Sequence, residues 1–209
     1  MWTRSTLGLV SVFVFVSTLS AQVGKSTSVL DANSATESEL TSVPHVDAGL
    51  AARILTARPF ADVLQLNEVV SATLDRRERE ELYGRLFVTI NLNTASREAI
   101  RLIPRVSDRL AYEFEEYRPY TSIEQFRREI GKYVDAAEVA RLEQYVIVPM
   151  NLNRAAGAAF LTIPGMSAQM VEEFEEYRPY TSIEQFRREI GKYVDPKEVT
   201  RLERYLVIE

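Results

Sequence analysis

Three observations predict an all-α protein of three tandem units, each made of two helical hairpins. The chain repeats with a strict period of 60 residues. Within each period the apolar residues recur at three- and four-residue steps, the spacing of one helix face. Proline and glycine interrupt that pattern at matching places in successive periods.

The period is clearest at residues 113–135, EFEEYRPYTSIEQFRREIGKYVD, which return letter for letter at 173–195. Outside that block the register persists: Asn91-Leu92-Asn93 returns as Asn151-Leu152-Asn153, and Pro104 as Pro164. Carried backwards, the same offset finds a diverged copy in which Asn33, Pro44 and Arg58-Pro59-Phe60 match Asn93, Pro104 and Arg118-Pro119-Tyr120. The units are 29–89, 90–149 and 150–209. Such a period means stacked supersecondary units that bury their surfaces against neighbours.

Ahead of the units, Arg4, an apolar run over 7–16 and the small residues of 17–21 form the pattern of a secretory signal. The run falls short of the roughly 20 apolar residues that a spanning helix needs. Cleavage near Ser20 or Ala21 is expected, with a periplasmic or cell-surface location; retention of the segment as an anchor is the alternative. Residues 22–28 are small and polar and read as a flexible lead.

In the second unit Ile100 and Ile103, then Leu110, Ala111, Phe114 and Tyr117, lie on one face of two successive helices, with Pro104 between them. Arg118-Pro119 ends the second helix, because a residue before proline is pushed out of the helical region. A third helix is expected over 122–130 and a fourth over 136–145, with strand signals only in short pieces such as Val146-Ile147-Val148. Ser34 followed by Glu37 suggests a capping box in the first unit. Asp135 and Asp195 suit the N-cap of the last helix in their units, and Pro196 suits a first helical position.

Composition narrows the function. With 46% apolar residues the chain can build real cores. Its net charge of −5 opposes a dedicated nucleic-acid binder, so any contact with a polyanion must be local. Basic and acidic residues number six and ten in the first unit, nine and ten in the second, and eight and ten in the third. The absence of cysteine removes disulfides and thiolate chemistry, and the single histidine, His45, removes His-cluster metal sites. No phosphate loop or nucleophile elbow is present, so no catalysis, cofactor or small-molecule substrate is expected. The recurring aromatics Tyr117, Tyr120, Phe126, Tyr133 and Tyr145 read as packing residues.

The first turns read Pro44-His45-Val46-Asp47, Pro104-Arg105-Val106-Ser107 and Pro164-Gly165-Met166-Ser167. Downstream come Ala51 or Ala111, then Ile54, Phe114 or Phe174, then Arg58, Arg118 or Arg178. This pattern resembles the helix-hairpin-helix family, and the phrase Ile90-Asn91-Leu92-Asn93-Thr94-Ala95-Ser96 is similar to the entry of ComEA-type DNA-binding domains. The resemblance implies tandem helix-hairpin-helix repeats and weak, sequence-independent binding of double-stranded DNA, in which turn N–H groups meet backbone phosphates as in DNA uptake. Of the turn glycines only Gly165 is kept; Asp47, Ser107 and Ser167 stand at the second glycine. The second hairpins of units two and three carry Gly131-Lys132 and Gly191-Lys192, a glycine for close approach beside a positive charge. The candidate phosphate-binding residues are therefore Arg105, Ser107, Gly131, Lys132, Gly165, Ser167, Gly191 and Lys192. Two alternatives stay open: Gly131 and Gly191 ending a helix in the left-handed conformation with their lysines in solvent, and a structural or protein-interaction module that has lost DNA binding.

Overall fold

In the computed structural model, residues 23, 24, 26 and 28–208 are described, so the expected signal over 1–21 lies outside the described residues. The first unit runs β1 (Leu30–Asp31), α1 (Glu37–Thr41), α2 (Ala48–Ala57), α3 (Val63–Ser71), α4 (Arg76–Tyr83) and β2 (Leu86–Phe87). The second runs β3 (Ile90–Asn91), α5 (Arg97–Arg101), α6 (Asp108–Glu116), α7 (Ile123–Ile130), α8 (Ala136–Glu143) and β4 (Val146–Ile147). The third runs β5 (Met150–Asn151), α9 (Gly157–Phe160), α10 (Ala168–Glu176), α11 (Ile183–Ile190), α12 (Pro196–Glu203) and β6 (Leu206–Val207). Close to half of the chain is α-helical and the strands are small, which makes it a mostly-α fold. The expected all-α fold needs one amendment: each unit is closed by a two-residue parallel strand pair, β1 with β2, β3 with β4 and β5 with β6. Those pairs join the first residues of a unit to its last.

The helices start where side chains can satisfy the free N–H groups of the first turn. Asp135 and Asp195 cap α8 and α12 as expected, and Pro196 occupies the first turn of α12. Ser122 and Ser182 cap α7 and α11. In the first unit the capping box at α1 is formed by Thr36 and Glu39 rather than by Ser34 and Glu37, and Asp75 and Glu78 form a second at α4. Ser34 instead belongs to the turn after β1, where its hydroxyl donates to Asp31. Only α9, which begins after Ala156, has no side-chain cap among the described residues.

A polar clamp repeats in every unit. The amide of Asn33, Asn93 or Asn153 in the entry turn donates to the carbonyl of Phe60, Tyr120 or Tyr180 and accepts from the N–H of the same residue. The preceding arginine reaches back as well: Arg118 donates to the carbonyls of Leu92 (2.5 Å) and Ala95 (2.6 Å), and Arg178 to those of Leu152 and Ala155. The intervening Arg–Pro peptide is cis in all three units. These contacts explain why asparagine and Arg-Pro-aromatic keep their register through the repeat.

Units one and two share one apolar core. Phe87 packs edge-on against Tyr83 (5.7 Å) on one side and against Tyr145 of the second unit (5.0 Å) on the other. The third unit has its own cluster, centred on Phe160, Phe174, Phe186 and Tyr205. It meets the first through Arg204, which donates to the carbonyls of Ala61 and Thr89. The described residues of the lead lie at the joint between units two and three: Val23 is buried and bridges to Ile147, and Ser28 donates to Gln144.

Candidate functional site

The first turn keeps one backbone geometry in every unit. His45, Arg105 and Gly165 sit at φ of 66°, 65° and 75°. Glycine reaches this left-handed region freely, whereas a side chain there costs roughly 1 kcal/mol. Two units therefore retain the turn without the glycine. The next position is the N-cap: Asp47, Ser107 and Ser167 accept from the N–H of Leu50, Leu110 and Met170. An aspartate at that point places its own carboxylate where an external anion would sit. Serine supplies the same cap without charge and keeps a hydroxyl hydrogen to donate.

The left-handed residue faces the last helix of its unit, and the charges differ from copy to copy. His45 hydrogen-bonds Glu81 at 2.8 Å, with Glu78 at 3.9 Å, so this exposed histidine is tied to α4. In the third unit the cation lies on the helix: Arg201, buried against Glu198, donates to the carbonyl of Pro164. Arg105 of the second unit projects outward, 66% exposed, with a 3.4 Å contact to Glu138.

At the second hairpins Gly131 and Gly191 are right-handed, with φ of −60° and −62°, so the expectation of a left-handed helix end does not hold. Glycine is required there for another reason. A Cβ would lie 2.7 Å from the carbonyl oxygen of Arg127 or Arg187, too close for any side chain without a backbone shift. Lys132 pairs with Glu129 and lies over the Tyr117 ring, and Lys192 pairs with Glu189 over Tyr177. Hydrogen bonding to Glu129 raises the Lys132 ammonium above its usual value, so it stays charged. Both lysines are about half exposed, at 52% and 53%. The tyrosine hydroxyls pair as Tyr117 with Tyr133 and Tyr177 with Tyr193. Tyr120, Phe126 and Tyr145 are core residues, whereas Tyr133 is partly exposed.

The expected site residues are brought together most completely in the second unit. Arg105, Ser107 and Lys132 line one shallow pocket with Arg109, Glu113, Tyr133 and Glu138, and Gly131 lies beside it in sequence. Arg109 was missed by sequence reasoning. Its signal was the comparison with the third unit, where the same position is Gln169. The remaining expected residues, Gly165, Ser167, Gly191 and Lys192, occupy the equivalent positions of the third unit, where Gly165 and Gln169 replace the two arginines. In the first unit Ser71 and Ala72 replace glycine and lysine.

Among the described residues no cluster of histidine, cysteine, aspartate or glutamate is arranged to hold a metal ion, and no helix is long and apolar enough to cross a membrane. Comparisons of the chain with family models, with curated proteins and with solved structures found no match.

Proposed function

We propose that this chain is an exported helix-hairpin-helix protein, similar to ComEA-type receptors, that binds double-stranded DNA without reading its sequence. The second unit is its principal contact. The observation that carries this reading is the convergence of Arg105, Arg109, Lys132 and Ser107 on one pocket, where three cations outnumber the carboxylates of Glu113 and Glu138, beside a left-handed turn and a helix N-terminus. Two flexible arginines, a lysine and a hydroxyl match the phosphates of a backbone, which position a protein without specifying a base. Lys132 is paired with the largely covered Glu129, but its own side chain is about half exposed, which leaves the ammonium open to a phosphate. The first unit contributes scaffold, since Asp47 and the glutamates around His45 repel phosphate.

A labelled duplex titrated at low ionic strength with wild type and with the Arg109→Glu/Lys132→Glu variant tests the reading. Wild-type binding lost in the variant, with an unchanged circular dichroism spectrum, supports it. Equal binding by the variant removes the pocket from the mechanism. A protein-interaction module is the second reading, favoured by Leu161 of the third unit, which is 50% exposed where Arg101 stands in the second. Absence of wild-type binding at micromolar protein would favour it.

A further inference from the structure

The second unit carries an arginine row that its sister units lack. Arg97, Arg101, Arg105 and Arg109 follow one another at four-residue steps through α5, the first turn and α6. The equivalent positions are Glu37, Thr41, His45 and Gly49 in the first unit, and Gly157, Leu161, Gly165 and Gln169 in the third. All four arginines are exposed, although the residues around them build the same frame in all three copies.

Across the joint, α4 of the first unit adds Arg76 and Arg79. These two, with Arg97, Arg101 and Arg105, line a groove between the units that holds only two acidic residues, Glu80 and Glu98. Its wall includes Pro104 and Val106 of the turn, so the groove meets the pocket of the second unit at Arg105. Arg76, Arg79 and Arg109 form no ion pair among the described residues. Arg97 pairs with Glu115, Arg101 with Asp108 at 2.9 Å and Arg105 with Glu138, each through a side chain more than half exposed. Such pairs are weak in water, and a phosphate can replace the carboxylate on the guanidinium fork.

We infer that this inter-unit groove is a second phosphate-contacting surface, which extends the pocket of the second unit into a track for one strand of a DNA duplex. The inference rests on the DNA-binding reading, and apart from Arg105 it assigns the contact to residues outside both hairpin glycine positions. It makes units one and two the binding body. The third unit repeats the turn of the second hairpin letter for letter through Asp195, although its last helix differs, and it lacks the arginine row.

The test compares the salt dependence of duplex binding for wild type, Arg76→Gln/Arg79→Gln/Arg101→Gln and Arg154→Gln, which removes an exposed arginine of the third unit outside the candidate site. Each lost phosphate contact lowers the slope of log affinity against log salt by about 0.9. The triple variant should therefore lose between about two and three from the slope, with affinity falling roughly tenfold or more at low salt, while Arg154→Gln matches wild type. Should the triple variant lose helicity, Arg76→Gln/Arg79→Gln on α4 alone should lower the slope by about two. A wild-type slope in the groove variants, with Arg109→Glu/Lys132→Glu still impaired, would overturn the track and leave the pocket reading intact. A loss in Arg154→Gln equal to that in the groove variants would also overturn it. No binding by wild type would remove both readings. Capture of labelled polyglutamate in place of duplex would overturn the track by assigning the groove to an acidic protein partner.

Discussion

Asn93 holds Tyr120 at both ends of its amide, donating to the tyrosine carbonyl at 2.9 Å and accepting from its N–H at 2.6 Å, across 27 residues of chain. A side chain thereby does for the entry turn what a strand ladder would do, satisfying two main-chain groups that are shielded from water. Asn33 with Phe60 and Asn153 with Tyr180 repeat the arrangement.

Replacing Asn93 by alanine strands both backbone groups. Each unsatisfied group costs about 1–3 kcal/mol, so the variant with two such groups should lose about 2–6 kcal/mol in urea denaturation. Asn93→Asp keeps the acceptor but turns an oxygen toward the Tyr120 carbonyl, and should recover only part of that loss. A change below 0.5 kcal/mol in Asn93→Ala, on the order of an ordinary surface substitution, would contradict the clamp.

Phe87 joins the first two units by packing between Tyr83 and Tyr145. Phe87→Ala should cost about 3–5 kcal/mol and lower the melting of both units together, because they share a core. Separate transitions, with only the first unit weakened, would show that the units are independent.

Arg105 occupies a left-handed turn that the third unit fills with Gly165. Arg105→Gly should leave stability unchanged or raise it by about 1 kcal/mol, since it relieves the backbone and gives up only an exposed ion pair. The same variant should bind DNA more weakly. A stability loss would mean that the turn depends on the arginine side chain.

Much of the frame was legible because it is written locally. The helical period, Pro104, the Asp135 and Asp195 caps and the Ser122 start each depend on neighbours a few residues away. The Asn93–Tyr120 clamp was hidden because its partner atoms are main-chain and distant in sequence. The strand at Val146-Ile147 was signalled in the sequence, but its pairing was hidden because each pair is two residues long and joins the ends of a unit, as Ile90 with Val146. The left-handed turns at His45 and Arg105 were obscured because neither residue advertises that conformation. The candidate site was half visible. Arg105, Ser107 and Lys132 stood out through turn chemistry, but the arginine row crosses a proline break, where helical periodicity gives no reason to continue it.

Acid should loosen the second unit at a definite place. The hydrogen bond from Arg141 holds the Glu138 carboxyl below its ordinary value of 4.5, and Arg105 adds to the effect. A carboxyl lowered in the folded state stabilises the fold above its unfolded value and loses that contribution as pH falls through the folded value. Stability should therefore be flat near neutrality on this account and decline below about pH 4.5. Glu138→Gln should be less stable at pH 7 and show a shallower decline in acid, as followed by thermal melting between pH 7 and 3. An unchanged acid slope in that variant would contradict the assignment.

The central claim is that a protein of net charge −5 binds duplex DNA through a local basic surface on its second unit. Its most direct test is the affinity of the wild-type chain for two duplexes of equal length and unrelated sequence, measured from 50 to 200 mM salt. The account predicts equal affinities for the two, falling steeply and linearly on a log–log plot, with a slope set by the phosphates engaged. Affinity that is independent of salt, that differs tenfold between the sequences, or that is absent at micromolar protein would contradict it.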